Sequence, residues 1–183
     1  MYLHPMNKLF LFVLGISFIA CTEITFKEPQ PKGIKALREF PGALQGRYIV
    51  RQDSASTIFD TVYIEAIRYR INSIINEGDW MNRGVLSDSL VLKNYKGFYY
   101  LNFYTDEQWI VRVFKQEKNG NIMLYEINLS DDEKIKKLTE TFQPEVIKKD
   151  NSTTYYRIDP TPKNYLKFIK ENYTVQEPLR KIQ

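Results

Sequence analysis

Apolar and polar residues alternate with a period of two along most of the chain between Gly46 and Leu129. Short segments rich in β-branched and aromatic residues follow one another there, separated by turn-forming residues. This alternation is typical of β-strands, and the short spacing predicts an antiparallel meander that forms a barrel or a sandwich. The predicted strands are 48–50, 61–67, 69–75, 90–95, 98–104, 109–115 and 122–129.

The last three of these strands predict which side chains face the interior. Alternate positions carry large apolar residues, namely Tyr99, Leu101, Phe103, Trp109, Val111, Val113, Met123, Tyr125, Ile127 and Leu129. The opposite face is expected to be a mixed polar surface with Tyr100, Asn102, Tyr104, Arg112, Glu126 and Asn128. Asn119 and Gly120 predict a two-residue hairpin turn, because this pair tolerates the positive φ angles that such a turn requires.

After the last predicted strand, the apolar period changes to that of a helix. Ser130 and Glu133 are spaced as the N-cap and third residue of a capping box, and Thr161 followed by Pro162 predicts the start of a second helix. Two more strands, 145–148 and 154–158, are expected between the helices. The predicted fold class is therefore mainly β (α+β), with two C-terminal helices.

The chain begins with an apolar segment unlike the rest of the sequence. Residues 9–19 are almost wholly apolar and follow Lys8, but they are too few to cross a bilayer, which needs about 20 residues. This length is typical of a secretory signal peptide. The segment ends with the small residue Ala20, directly before Cys21, the only cysteine of the chain.

This order of residues resembles the lipobox of bacterial lipoproteins. The resemblance implies that the thiol of Cys21 carries diacylglycerol, that the chain is cut before Cys21, and that lipid anchors the protein to a membrane. Thr22 stands where some inner-membrane lipoproteins carry an aspartate. We therefore expect a cell-envelope protein of the outer membrane, on its periplasmic face or at the cell surface. Translation is expected to start at Met1 or Met6.

Three regions follow from this interpretation. Residues 1–20 are the expected signal peptide. Residues 21–45 are the expected lipidated N-terminus and tether, because Pro29, Pro31 and Pro41 interrupt regular hydrogen bonding. Residues 46–183 are expected to form a single β-rich domain with C-terminal helices.

The composition argues against several classes of function. His4, the only histidine, lies in the expected signal peptide, so a mature chain would lack Ser-His-Asp machinery and the commonest zinc ligand. The chain has no glycine-rich phosphate loop. Its formal net charge of +4 is spread without a basic stripe, so no nucleic-acid partner is expected. We therefore expect no enzymatic activity, no cofactor and no metal.

Carboxylate chemistry is the catalytic alternative that remains open. Glycosidases use two carboxyl groups about 5–9.5 Å apart, on either side of one cleft. The candidates in or beside predicted strands are Asp60, Glu65, Asp106, Glu107 and Glu126. Whether any two converge does not follow from the sequence, and a carboxylate-dependent hydrolase is the third functional hypothesis.

Aromatic residues of the predicted sheet provide candidates for a binding site. Tyr100, Tyr104 and Trp109 are candidates for a platform that stacks on a sugar or on an apolar ligand. Such residues are also typical of a core or of cross-strand pairs. Outward-facing Tyr100 and Tyr104 are expected to be the most accessible.

Two short motifs resemble known sites. Leu44, Gly46 and Tyr48 are similar to the L-x-G-x-W/Y opening of lipocalin-like barrels, and this resemblance implies a small-molecule cavity inside a barrel. Ser54 and Ser89 lie in Asp-Ser-apolar triplets that resemble the O-glycosylation sites of one group of Gram-negative bacteria.

The first functional hypothesis is a non-catalytic binding or interaction module of the cell envelope. Its partner would be an envelope protein, or a small apolar or sugar ligand. The alternative is a small-ligand carrier with a lipocalin-like cavity, and the carboxylate-dependent hydrolase comes third.

Overall fold

The computed structural model describes residues 21–51, 59–73, 79–127, 129, 131–149, 153–172, 174–175 and 178–182. The strands are β1 (Cys21–Phe26), β2 (Ala36–Leu37), β3 (Gly46–Arg51), β4 (Phe59–Ile64), β5 (Arg68–Asn72), β6 (Arg83–Val85), β7 (Leu90–Tyr95), β8 (Phe98–Thr105), β9 (Gln108–Gln116), β10 (Ile122–Glu126), β11 (Glu145–Lys148), β12 (Thr153–Ile158), β13 (Thr174–Val175) and β14 (Arg180–Ile182). The helices are α1 (Asp132–Phe142) and α2 (Pro162–Asn172), and a short 3₁₀ helix covers Trp80–Asn82. None of the described helices is both long enough and apolar enough to cross a membrane.

Nine strands form a mixed sheet in the order β11-β12-β1-β9-β8-β7-β2, with β10 paired to β9 and β13 paired to β10. Strand β1 is parallel to β12 and antiparallel to β9. The pairing of β1 with β9 includes Thr25 opposite Ile110, whereas β10 pairs with β9 from Val113 onward. Since β8 occupies the other edge of β9, β1 and β10 share one edge and separate around Arg112. This separation positions one end of the site described below.

Five strands form a second, antiparallel sheet in the order β14-β3-β4-β5-β6. Tyr48, Val62 and Tyr69 point from this sheet toward Leu92 and Leu101 of the first sheet, and the side chains form one buried apolar core. Neither sheet closes into a barrel, and the two sheets pack face to face as a sandwich.

The two helices cover the opposite face of the mixed sheet. Leu138 of α1 and Leu166 of α2 belong to a second buried core together with Phe26 and Tyr100. The ring of Phe26 meets the ring of Tyr165 in α2 edge-on, with 5.1 Å between centroids. The described chain therefore has three layers, helices, mixed sheet and antiparallel sheet, with an apolar core on each side of the mixed sheet.

The mainly β fold class predicted from the sequence is confirmed in its sandwich form. The seven strands of the predicted meander correspond to β3, β4, β5, β7, β8, β9 and β10, and the two later strands to β11 and β12. Both C-terminal helices are present. Pro162 is the first residue of α2, and the hydroxyl of Thr161 accepts a hydrogen bond from the backbone N–H of Asn164 at 3.3 Å, as the cap prediction requires.

Residues 21–45 are part of the folded structure, so the predicted tether is wrong. Strand β1 lies between β12 and β9, and Phe40 and Leu44 are buried in the core between the sheets. The loop after β1 is fastened to the mixed sheet by Asn102, which is fully buried. The amide of Asn102 accepts from the backbone N–H of Gln30 at 2.6 Å and donates to the carbonyl of Gln30 at 2.8 Å.

A buried lysine holds the same loop. The ammonium group of Lys93 donates hydrogen bonds to the carbonyls of Pro29 and Pro31 at 2.6 and 3.1 Å. Burial lowers the pKa of Lys93, partly offset by attraction to Glu28. The prolines cannot donate from their own nitrogens, but their carbonyls are satisfied by this side chain.

The register of the strands corrects the predicted assignment of faces. Tyr100 lies opposite Val113, and Leu101 lies opposite Arg112. Opposite residues share a face, so Leu101 and Arg112 face the second sheet, whereas Val113 and Tyr100 face the helices. Tyr100 and Asn102, which were expected on a polar surface, are fully buried because both faces of the mixed sheet are covered.

Two predicted local motifs also differ from the structure. Asp131, rather than Ser130, is the N-cap of α1, because the carboxylate of Asp131 accepts from the backbone N–H of Glu133 at 3.0 Å. Ser130 lies outside the described residues. The predicted two-residue turn at Asn119 and Gly120 is a five-residue connection, in which only Gly120 has a positive φ angle.

Burial raises the pKa of five tyrosine hydroxyls, those of Tyr48, Tyr69, Tyr100, Tyr155 and Tyr165. Above about pH 10, the folded protein keeps these protons, whereas the unfolded chain loses them. The free energy of unfolding therefore keeps its full value below about pH 10, as far as these tyrosines are concerned, and falls as the pH rises beyond it. We expect an absorbance titration to show that these hydroxyls ionise together with alkaline unfolding, followed by circular dichroism. The variant Tyr165→Phe should remove one late-ionising group. Complete tyrosine ionisation before unfolding would contradict the prediction.

Candidate binding site between the two sheets

A cavity of about 370 Å³ lies between the two sheets of the sandwich. Val62 and Ile71 line it from the second sheet, and Leu101 and Phe103 line it from the mixed sheet. The volume falls within the range of about 300–1,000 Å³ that is typical of small-molecule sites. The space and its largely apolar walls therefore suit a small apolar molecule.

Aromatic contacts support one wall of this cavity. Tyr69 meets the rings of Phe40 and Phe103 edge-on, each with 6.5 Å between centroids, and its hydroxyl donates to the carbonyl of Met81 at 2.6 Å. Trp80 meets Phe103 edge-on at 5.6 Å and is 51% exposed. Since Phe103 lines the cavity, the indole of Trp80 is in direct contact with the cavity wall.

A charged group lies where β1 and β10 separate on the edge of β9. The half-buried guanidinium of Arg112 lines the cavity and donates two hydrogen bonds to the carboxylate of Glu23, from Nη1 at 3.1 Å and from Nη2 at 2.9 Å. Burial opposes the charge of Arg112, but hydrogen bonding and attraction to Glu23, with attraction to Glu126, outweigh it and raise the pKa. Arg112 therefore stays charged and gives the apolar cavity a polar end.

Asp79 and Asn82 provide further polar groups in the cavity lining, together with Glu126. Asp79 caps the 3₁₀ helix by accepting from the backbone N–H of Met81 at 2.9 Å. The lining thus combines apolar side chains with a few polar groups. This combination is typical of sites in which apolar contacts bind a ligand and polar contacts orient it.

Of the five candidate carboxylates, only Asp106 and Glu107 are neighbours, and the other three lie in separate strands or turns. Asp60 is in β4, Glu65 is in the turn before β5, Asp106 and Glu107 form the turn between β8 and β9, and Glu126 ends β10. Glu65 is paired with Arg68 at 2.7 Å. Among the described residues, no group of three or more histidine, cysteine, aspartate and glutamate side chains is placed to hold a metal ion.

Asp106 shows why such a carboxylate is poorly suited to general acid chemistry. Its carboxylate accepts hydrogen bonds from the ammonium group of Lys149 and from the hydroxyl of Tyr155, the latter at 3.3 Å. The hydrogen bond from Lys149 lowers the pKa of Asp106. A general acid needs the opposite shift, toward a protonated carboxyl group at neutral pH.

The predicted aromatic platform is only partly accessible. Tyr100, Tyr104 and Trp109 share one face of the mixed sheet, the face that the helices cover. Tyr100 is fully buried and Trp109 is nearly so, whereas Tyr104 is 49% exposed, and its ring lies 5.1 Å from that of Trp109. The expectation that Tyr100 faces outward is wrong, and Tyr104 alone of the three offers an open ring.

The lipocalin-like motif forms a buried corner at the start of β3. Leu44 and Tyr48 are fully buried, and the hydroxyl of Tyr48 donates to the carbonyl of Leu44 at 2.7 Å. Gly46 has a φ angle of +140°, and a Cβ atom there would lie 3.0 Å from the side chain of Lys181. Glycine is therefore required between the two buried residues for a local reason.

The predicted modification sites have different positions in the structure. Cys21 is the first residue of β1, where its backbone pairs with that of Thr153. Ser89 is exposed beside the start of β7, and its hydroxyl lies 3.2 Å from that of Ser87. Ser54 lies outside the described residues. Modification of these three residues stays a prediction.

No protein-family model, curated protein or solved structure matches the chain. The residues that line the cavity therefore carry the evidence for its function. Sequence reasoning missed this site because its lining comes from strands of two sheets. The apolar alternation in β8 predicted that Leu101 and Phe103 face the interior, but no local pattern showed that they and the residues of β4 and β5 enclose a space.

Proposed function

We propose that the protein is an exported lipoprotein, anchored through Cys21, that binds a small, largely apolar ligand without catalysis. The cavity between the sheets is the observation that carries the binding part of this proposal. The lipobox resemblance around Cys21 supports the anchor, and an outer-membrane location is proposed with it.

The polar end of the cavity limits which ligands fit. Arg112 can donate a hydrogen bond to an oxygen atom of a ligand, while Glu23 and Glu126 surround it with negative charge. A strongly anionic ligand would meet these carboxylates, whereas a hydroxyl, carbonyl or amide group would not be repelled. We therefore propose a neutral, mostly apolar ligand with one hydrogen-bonding group.

The carrier hypothesis gains support from the cavity, although the architecture differs from the one the lipocalin resemblance implies. The cavity lies between two open sheets rather than inside a barrel. Val62 and Leu101 lie on facing sheets, so a ligand would contact both layers of the sandwich. Binding would then also stabilise the sandwich, since it favours the folded protein by mass action.

Filling the cavity is expected to weaken ligand binding without unfolding the protein. The variant Val62→Phe places a larger apolar side chain in the space, and we expect it to weaken binding of the neutral probe N-phenyl-1-naphthylamine at least ~10-fold, a loss of about 1.4 kcal/mol. Probe fluorescence and the emission of Trp80, isolated by Trp109→Phe, report binding. The melting temperature should change little, because the added atoms enter empty space rather than a packed core.

The matched control is Val146→Phe, the same substitution at a position of β11 that is 53% exposed. It should leave probe binding unchanged. Native mass spectrometry of the full-length protein released from its own membrane then tests for a natural ligand. Equal probe binding by both variants would exclude the cavity as the site, and a retained protein without a small molecule would favour the interaction module instead.

A further inference from the structure

The outer face of the second sheet carries six of the nine arginines of the chain. The inward pair of Tyr48 and Val62 fixes the orientation, because neighbouring positions on each strand point outward. The outward arginines are Arg47, Arg51, Arg68, Arg70, Arg83 and Arg180. Five of them are exposed, and Arg51 is half-buried. No lysine, aspartate or glutamate occupies an outward position on the described strands of this sheet.

Four residues of this arginine face form one row across the sheet. Arg47 lies opposite Tyr63, Tyr63 opposite Arg70, and Arg70 opposite Arg83. At a strand spacing of about 4.8 Å, the row spans about 14 Å. The guanidinium of Arg70 lies 4.1 Å from the centre of the Tyr63 ring, which favours a fixed position for this charge.

The close spacing of positive charges on the arginine face destabilises the protein in the absence of a partner. Like charges directly opposite each other destabilise a sheet, and Arg70 and Arg83 are such a pair. Arg68 is paired with Glu65, which lies in the turn outside the strand positions. An anionic partner would relieve the repulsion between Arg70 and Arg83, so the arginine face is complementary to a negatively charged surface.

Exposed apolar side chains accompany these arginines. Phe59 is 40% exposed and Val85 is 53% exposed on the same face, and Ile67 is 52% exposed in the turn between β4 and β5. Guanidinium groups pair well with phosphate oxygens, and apolar side chains enter the headgroup region of a bilayer. A nucleic acid would match the charge but would leave the aliphatic residues in water. The combination favours a phospholipid surface.

We propose that the arginine face lies against the anionic headgroups of a phospholipid bilayer. This inference deepens the proposed function and rests on its lipid anchor for the geometry. Strand β1 begins at Cys21, so a lipid on that residue leaves no free tether between membrane and domain. The domain is then held next to the headgroups, and the arginine face supplies positive charge that suits them.

The test uses the chain from residue 21 onward with Cys21→Ser, which cannot carry the lipid. All described elements lie within residues 21–182, so this chain contains the whole described fold. Sedimentation with vesicles of phosphatidylcholine alone, or mixed with phosphatidylglycerol, measures binding. We expect binding to the anionic vesicles only, weakened by salt. Replacing Arg47, Arg70 and Arg83 by glutamine should weaken this binding about 150-fold, because each of the three basic residues contributes a factor of about 5 to 6.

The control replaces Lys136, Lys163 and Lys167 of the helix layer by glutamine, which changes the net charge equally on exposed positions. This variant should bind almost as the parent does, and the melting temperature of the arginine variant should be unchanged or higher. Equal losses in both variants, or no preference for anionic vesicles, would overturn the inference. The inference would also be overturned if the arginine variant kept its binding to vesicles and lost only its binding to a single-stranded oligonucleotide, because the arginine face would then bind nucleic acid.

These outcomes are separable from failure of the proposed anchor. The intact mass of the full-length protein shows whether Cys21 carries lipid, independently of the vesicle experiment. Lipid on Cys21 without vesicle binding overturns the membrane-facing inference alone. Vesicle binding through the arginine face with an unmodified Cys21 overturns the anchor and supports the face.

Discussion

Replacing Asn102 by alanine is expected to lower the free energy of unfolding by about 3–5 kcal/mol. The fully buried amide accepts a hydrogen bond from the backbone N–H of Gln30, and its two N–H hydrogens are shared among the carbonyls of Gln30, Val91 and Tyr100. Alanine would leave the N–H and carbonyl of Gln30 without these partners, at about 1–3 kcal/mol for each buried group. The loop after β1 would then lose one of its attachments to the mixed sheet and keep the hydrogen bonds from Lys93.

Chemical denaturation of the full-length protein measures this effect. Asn72→Ala is the matched control, because Asn72 is exposed on the second sheet. It should change stability by less than about 0.5 kcal/mol. A loss for Asn102→Ala no larger than that of the control would show that the Gln30 contacts contribute little in solution.

The isosteric variant Asn102→Asp separates hydrogen bonding from side-chain size. Its carboxylate would still accept from the N–H of Gln30, but its second oxygen would face three carbonyl oxygens. Burial and these carbonyls should raise the folded-state pKa above the unfolded value of about 3.9. Relative to the parent, the variant should therefore lose least stability below about pH 4 and progressively more as the pH rises through its folded-state pKa. A parallel pH dependence in the parent protein would contradict this explanation.

The local elements of the fold follow from the sequence because each depends on a short pattern. Alternating β-branched and aromatic residues identify the strands, and Thr161 with Pro162 identifies the start of α2. The tight turns were harder to predict. Residues 96–97 and 106–107 are the two-residue connections with positive φ angles, although Asp106 and Glu107 are less usual in such turns than asparagine and glycine.

The placement of the strands depends on long-range pairing that local patterns do not contain. The parallel pairing of Cys21–Phe26 with Thr153–Ile158 joins segments far apart in the chain. The central strands are covered on both faces, so a period of two identifies the alternation but not the layer that each face meets. Because of this ambiguity, the alternation alone predicts a surface position for Tyr100.

The candidate sites illustrate two different limits of sequence reasoning. The cavity exists because the side chains of the two sheets leave a space between Val62 and Leu101. No sequence pattern predicts such a space. The arginine face, in contrast, is visible as alternation in "RYIVR" and "RYRIN", residues 47–51 and 68–72. The sequence does not predict the arginine face, because its arginines are not consecutive in the chain. They lie on separate strands and become neighbours only after the sheet forms.

Replacing Cys21 by serine is expected to abolish lipid attachment completely, because the thioether to diacylglycerol requires the thiol. The full-length gene, expressed in a bacterium that processes lipoproteins, should yield a chain that begins at Cys21 and carries diacylglycerol and acyl groups. The serine variant should carry neither. Intact mass spectrometry distinguishes these products directly.

The substitution should not disturb the fold, because the pairing of residue 21 with Thr153 is made by the backbone. The melting temperature of the chain from residue 21 should therefore be the same with cysteine or serine at that position. Thr22→Ser is the matched control, since it changes the next residue of β1 and leaves the thiol in place. An unmodified parent chain that retains Met1 or Met6 would refute the lipoprotein proposal, and lipid on the parent and on Thr22→Ser but not on Cys21→Ser would establish the anchor.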